Sequence, residues 1–428
     1  MMANPPFNVD MVDATRVGDD RRLPFGLPGV NKSDKVGNAN YLWITYFHSY
    51  LSPTGRAGFV MSSQASSAGH GEAEVRRKLV QTGDVDVMVA IRPNFFYTRT
   101  VPCELWFYDR GKPADRQGSV LMLDARQVFR KVTRKIYDFS PEQLADLTAV
   151  VWLYRGQSAR FEALLAQHIG HAVGAAQACW NDDAADPPRA PLDDSLTAHQ
   201  TLRDLMQPLV AALPAESPHA AVISEFHAQG QATIDGIEAL RSRAGPLVAS
   251  HASLELGIQH STNFLAERLT GYADATRALI GVLDQAVRAT LRLVDLAEKE
   301  LGARDDERWP TREIGRARKA LEVARSVVVE RLKQVRHFQR HAGWLIERFP
   351  DARYRDVMGL CKSVTRAEIE AADWSLTPGR YVGVAAVEDD EDFDFMESMR
   401  EIHIEIANLN AQAVHLAGQL QRRFEEMA

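Results

Sequence analysis

Gly58-Phe59-Val60-Met61 and Asp86-Val87-Met88-Val89-Ala90-Ile91 are short apolar runs with a helical period between them, and together they decide the fold class. Each run is too short for a core helix and reads as a buried strand. The stretch between them, Glu72 to Gln81, has Glu72 and Glu74 at its start and Arg76, Arg77 and Lys78 later, as the helix dipole prefers. Gly83 stops it. Upstream, Asn40 suits the N-cap of a helix whose Trp43, Phe47 and Leu51 recur at four-residue spacing until Gly55. Strands alternating with helices predict an α/β unit with parallel strands. Val101–Tyr108 and Val120–Asp124 read as further strands, close enough in sequence to be antiparallel partners at the sheet edge.

Beyond this unit the chain turns helical. Ser140-Pro141-Glu142-Gln143 combines a capping box with proline at the first helical position, which predicts a helix to about Tyr154. Residues 182–191 are acidic and proline-rich and cannot continue a helix. From Thr262 to Leu301, Leu265, Leu269, Tyr272, Leu283, Val287, Leu291 and Val294 form one stripe, and a second long helix follows the turn near 304–310, giving an antiparallel hairpin. Glu388-Asp389-Asp390-Glu391-Asp392 reads as a hinge. After it, Phe395, Met399, Ile402, Ile406, Leu409, Ala413, Leu416 and Leu420 alternate four- and three-residue steps, which is a heptad seam.

Composition narrows the class. The 428 residues are 45% hydrophobic and 25% charged, as in ordinary globular chains, and 50 Lys+Arg against 57 Asp+Glu give a net charge of −7. That balance argues against histone-like coating of nucleic acid. Three cysteines, far apart, support neither a disulfide framework nor a cysteine zinc site, and a reducing cytoplasm is expected. No apolar run approaches a membrane span, and none of the phosphate-loop or serine-elbow motifs is present.

Asn4-Pro5-Pro6-Phe7 carries the chemistry. The nitrogen of an exocyclic amine or amide delocalises its lone pair and is a poor nucleophile. An Asn side-chain oxygen and the carbonyl of the next proline can accept both of its N–H bonds. Two prolines hold those acceptors rigidly, and an aromatic ring stacks on the substrate plane. The pattern suits methyl transfer to such a nitrogen, with Asn4 and the Pro5 carbonyl orienting the amine and Phe7 holding the base.

The segments Asn4–Asn8, Pro24-Phe25-Gly26, Asn38–Ile44, Gly55–Ser62, Glu74–Val80 and Asn94–Trp106 resemble the modification subunit of type I restriction-modification systems. Leu376–Val384, the acidic run and the terminal heptad helix resemble that family's C-terminal part. The resemblance is dense over 1–157 and about 373–428 and loose between. It implies an N6-adenine DNA methyltransferase using S-adenosylmethionine, with DNA, a specificity subunit and sometimes a restriction subunit as partners. The expected fold is α/β plus α, with the C-terminal half of a Rossmann-like methyltransferase sheet followed by a helical domain and a long C-terminal helix. The expected domains are the C-terminal part of the catalytic domain at 1–157, a linker at 158–193, a helical domain at 194–372, and the hinge and docking helix at 373–428. Met399, Ile402, Ile406, Leu409, Leu416 and Leu420 are expected to dock on the specificity subunit.

One departure matters. The family's glycine-rich donor loop belongs upstream of the Asn-Pro-Pro-Phe motif, and no strand followed by G-x-G occurs downstream: Asp86–Ile91 runs into Arg92-Pro93 and Val120–Asp124 into Ala125-Arg126. The expectation is a truncated or split subunit, with Met2-Ala3 as the end of the strand that leads into the motif. Such a chain alone would bind the donor poorly. The alternative is a catalytically inactive piece acting only as a protein–protein or DNA interaction module.

Other signals are weaker. Pro102-Cys103 has the form of a cytosine-methylating nucleophile but sits in an apolar run, where cysteine is usually a buried hydrophobe. His168, His171 and Cys179 lack a fourth partner and standard spacing, so no metal site is expected from them. Arg126, Arg130, Lys131, Arg134 and Lys135, interleaved with Phe129, are candidates to track DNA phosphates. A second basic stretch, from Arg316 to Arg340, reads more readily as a solvated helix face.

Overall fold

The computed structural model describes residues 1–95, 101–133, 136–213, 219–253 and 259–384. Residues 1–383 form one compact unit, and the second, 384–428, lies outside the described residues apart from Val384. The acidic hinge and the whole heptad stripe therefore fall outside them.

Six strands make the main sheet: β1 (Met2–Ala3), β2 (Arg56–Ser62), β3 (Val85–Ala90), β4 (Cys103–Asp109), β5 (Ser119–Asp124) and β6 (Cys361–Thr365). They lie in the order β1-β2-β4-β3-β5-β6. β1 pairs with β2 in parallel, as does β3 with β5. β4 is antiparallel to both β2 and β3, and β6 is antiparallel to β5. Four strands thus point one way, and their carboxyl ends, at Ala3, Ser62, Ala90 and Asp124, share one edge with the start of β4.

Both faces of the sheet are covered. Phe59, Met61, Met88, Trp106, Tyr108 and Met122 pack beneath α1 (Asn40–Ser49) and α2 (His70–Gln81), against Ile44, Phe47, Val75 and Leu79. On the other side Val87, Val89, Leu121 and Leu123 meet α3 (Pro141–Tyr154) and α4 (Ser158–Ala178). With each buried side chain contributing about 1.5–3 kcal/mol relative to exposure, this two-sided burial explains why β3 is apolar at nearly every position rather than alternating. α3 starts as expected, with Ser140 Oγ accepting from the Gln143 amide and Gln143 Oε1 from the Ser140 amide.

Helices α5 (Pro191–Val210), α6 (Ala220–Ala252), α7 (Gln259–Lys299) and α8 (Thr311–Arg348) build the helical layer. The α7/α8 hairpin is antiparallel: Arg325 pairs with Asp284, Arg318 with Asp295, and Gln339 with Thr270. These contacts occupy much of the second basic stretch, and Arg331 reaches Asp182 at 2.5 Å.

Several expectations are corrected. Residues 158–193 are not a linker, because α4 fills 158–178 and buries Phe161, Leu164, His168, Ile169, Ala172 and Val173 along one stripe. The helical layer is not a self-contained domain over 194–372: β6 lies inside that range and closes the sheet, and α9 (Arg366–Ala371) follows it. β4 lies within the sheet, not at its edge, and β5 runs parallel to its neighbour β3. Asn40 does not cap α1, since its side chain faces inward and the Asn40 amide donates to Asn38 Oδ1 instead.

Candidate active site

In open α/β sheets the carboxyl edge of the parallel strands is where ligands lie, because loops there leave the sheet together with their backbone groups free. β1 delivers Asn4-Pro5-Pro6-Phe7 to that edge. Pro5 is buried, Asn4 and Pro6 are exposed, and Phe7 is half-buried against apolar residues of both faces. Among the described residues nothing bonds the Asn4 carboxamide, which is open to solvent.

The loop's exit is clamped. Asn8 adopts a left-handed backbone, φ 54°, which asparagine tolerates better than most residues. Its amide donates to Asn40 Oδ1 at 2.9 Å, and Asn40 Nδ2 donates back to Asn8 Oδ1 at 2.8 Å. Asn38 Nδ2 adds a bond to the same oxygen at 3.3 Å. Asn40 is buried, so breaking this exchange would strand its amide without water. Asn38 and Asn40 stood out in the sequence as part of a motif, but their role in holding the loop did not.

Further along the edge, Glu104 lies opposite Met61 on one side and Ala90 on the other. Its side chain is buried and Oε2 has no hydrogen-bond partner. Burial pushes its carboxyl up to about 8, helped by the nearby Asp124 charge and opposed by Ser66 and Arg126. Cys103 beside it is also buried and pushed up to about 11, by burial and then by Glu104, so it is no nucleophile. Glu104 is one residue of this edge that the sequence did not single out. The only signal was an acid inside an otherwise apolar strand.

The phosphate-tracking candidates are partly neutralised. Arg126 grips Asp124 through Nε at 2.8 Å and Nη2 at 2.5 Å, and Arg130 grips Asp138 at 2.9 and 2.7 Å. Lys131 is exposed on the same two-stranded ribbon, Arg130–Lys131 with Tyr137–Asp138, while Arg134 and Lys135 fall outside the described residues. A cation the sequence did not single out is better placed. Arg92, just after β3, lies over the rings of Phe129 and Tyr137 at 4.2 and 4.4 Å, making an aromatic shelf at the carboxyl edge.

Among the described residues these loops form no donor cradle. The parallel strands run into Asn4-Pro5, Ser63-Gln64, Ile91-Arg92-Pro93 and Ala125-Arg126, and none offers the close glycine backbone that a bound donor would need. The described residues of this edge therefore do not fit a bound S-adenosylmethionine.

The N-6 DNA Methylase family model matches residues 1–166. The MjaIX type I restriction enzyme methylase subunit of Methanocaldococcus jannaschii is 40% identical over 139 residues, covering 32% of this chain and 24% of that protein. The HindI methylase subunit of Haemophilus influenzae is 32% identical over 148 residues, 34% of this chain and 32% of that protein. The matched stretch thus spans about a quarter to a third of the length of these relatives. Among solved structures, the methyltransferase subunit of a type I system from Streptococcus thermophilus superposes with a TM-score of 0.31 at 18% identity, over 36% of this chain and 31% of that one. A modification subunit of a type I enzyme from Vibrio vulnificus gives 0.26 at 14%, over 36% and 30%. Over its first 166 residues, this chain is similar to N-6 DNA methylases, and the relatives it matches are methylase subunits of type I restriction enzymes.

Proposed function

We propose that this chain is the acceptor-side and docking part of a type I DNA methyltransferase that methylates N6 of adenine. The observation that supports it is the placement of Asn4-Pro5-Pro6-Phe7 at the carboxyl edge, clamped by Asn8 and Asn40 so that Asn4 stays open to solvent. An adenine flipped from the duplex would seat its amine between Asn4 Oδ1 and the Pro5 carbonyl, with its ring against Phe7. Those two acceptors turn the nitrogen lone pair toward the incoming methyl group. No strong base is needed, since the proton leaves only after the nitrogen has become cationic. S-adenosylmethionine would supply an electrophilic methyl group, held by residues other than those of this edge.

Partners follow from the same reading. DNA phosphates would be met by the exposed Lys131 and by the shelf around Arg92. The apolar stripe of Met399, Ile402, Ile406, Leu409, Leu416 and Leu420 would dock on a specificity subunit. Replacing Ile402, Ile406 and Leu409 together with Asp should abolish co-purification with that subunit and leave the melting temperature of the chain unchanged. A sharp fall in melting temperature would place the stripe in the chain's own core.

The site reading is tested by Asn4→Ala. With the donor-binding residues supplied in cis or in trans, the substitution should lower methyl transfer to DNA at least about 100-fold while DNA affinity stays within a factor of about two. Equal losses of affinity and activity would make the loop structural and sink the proposal.

A further inference from the structure

Three helices bring together Glu142 at the first turn of α3, His168 in α4, and His337 and His341 on α8, around Asp146. Asp146 accepts from both sides. His168 Nε2 lies 2.9 Å from Oδ1, and His341 Nδ1 lies 2.6 Å from Oδ2. The bond consumes one ring nitrogen of His341 and leaves the other. His337 stands one helical turn before His341, with ring centroids 4.8 Å apart, and its Nε2 is 3.5 Å from Glu142 Oε2.

We propose that Glu142, His337 and His341 form a binding site for a divalent first-row transition metal such as Zn²⁺, with Asp146 as the group that orients His341. Four arguments from chemistry and geometry support it. One ligand atom from each of the three residues lies within 4.8 Å of the others, and a tetrahedral site with bonds of about 2.0–2.1 Å needs them about 3.3 Å apart, a closure that side-chain rotation supplies. Two histidines at i and i+4 on one helix face, joined by a carboxylate from a second element, are a two-nitrogen, one-oxygen donor set. A carboxylate bonded to the far nitrogen of a ligating histidine fixes its tautomer and raises its basicity, and Asp146 holds His341 in that way. Finally, His337 is exposed, with 46% of its side chain accessible, so a fourth position is open to water.

The helical α8 would then be fastened to the turn that opens α3, directly after the ribbon that carries Lys131. The expectation of no metal rested on His168, His171 and Cys179. Of these, only His168 reaches the cluster, and it lies behind Asp146.

The site does not depend on the methyl-transfer reading, and the test involves no activity. The full chain, stripped by chelator and freed of any affinity tag, is titrated with Zn²⁺ by calorimetry and separately with Co²⁺ by visible absorption. The expected result is one equivalent bound with micromolar or tighter affinity and the intense Co²⁺ bands of a tetrahedral site. The His337→Ala/His341→Ala pair should weaken binding at least about 100-fold, and Asp146→Asn about 10- to 100-fold. His337→Ala alone, at a partly exposed position, serves as the variant that keeps its fold, checked by its circular dichroism, and it too should lose the Co²⁺ bands. Absence of saturable binding by the unaltered chain, or unchanged affinity in the histidine variants, would overturn the site.

Discussion

The two ends of the sheet each bury an acid, and they treat it in opposite ways. At the amino end of β3, Asp86 is fully buried but surrounded by cations: Arg116 at 2.9 Å, Arg155 at 2.6 Å and Lys112 at 3.7 Å. Burial brings Lys112 down to about 8, and it spends its protons on the Val85 and Ser119 carbonyls. Every charge there is answered. At the carboxyl end Glu104 has an oxygen with no partner, Asn94 a buried side-chain oxygen with none, and Asn4 stands open. Uncompensated polar groups cost stability, and here three of them lie along one edge of the sheet. On the proposed reading the carboxyl end is the working end and the amino end its foundation.

The largest expected effect comes from breaking the foundation. Asp86→Ala leaves the buried Lys112 and the half-buried Arg116 and Arg155 without this anion and should cost about 3–5 kcal/mol in urea denaturation. A loss under about 1 kcal/mol would mean that the cluster is hydrated and the contrast false.

The next effect sharpens the comparison through pH. The Glu104 carboxyl titrates at 4.5 when unperturbed and near 8 in the fold. Between those values the folded chain holds a proton that the unfolded chain lacks. Its contribution is thus fully present below pH 4.5 and is lost as pH rises to 8. Glu104→Gln should remove this slope, a steady fall in stability between pH 4.5 and 8. Parallel stability–pH curves for the two proteins would show that Glu104 is already ionised and solvated. The smallest effect belongs to Arg130→Ala, whose exposed pair with Asp138 should leave the melting midpoint unchanged within error while DNA binding is assayed independently.

Legibility in the sequence followed the range of the contacts. β2, β3, β4 and β5 announced themselves because each buries a run of Val, Leu, Met or aromatic residues within a few positions. β6 did not: Cys361-Lys362-Ser363-Val364-Thr365 is half polar, and it becomes a strand only because Leu121 and Leu123 of β5 wait for it. α6 hid behind Pro246 and its small residues, and its helical state is set by packing against α7, as in the Arg292–Glu225 pair. The loop itself was legible from four residues. Its clamp was not, since Asn8 and Asn40 meet only once α1 has been placed, and Glu104 was masked by the aromatic residues that follow it.

The chain leaves the sheet at Asp124 and returns at Cys361, so the entire helical layer is a detour between two neighbouring strands. After β6, the segment near Trp374 is caught by Arg76, which donates to the Trp374 carbonyl at 2.6 Å and to the Ala68 carbonyl at 2.7 Å. A peptide bond cut in the exposed turn near Arg304 would therefore not release the last strand. The two fragments would remain joined by five paired positions and the arginine clasp, and would part only in denaturant. Covalent continuity through the helices is dispensable for keeping the sheet closed once it has formed, although it is what brings the distant strand home in the first place.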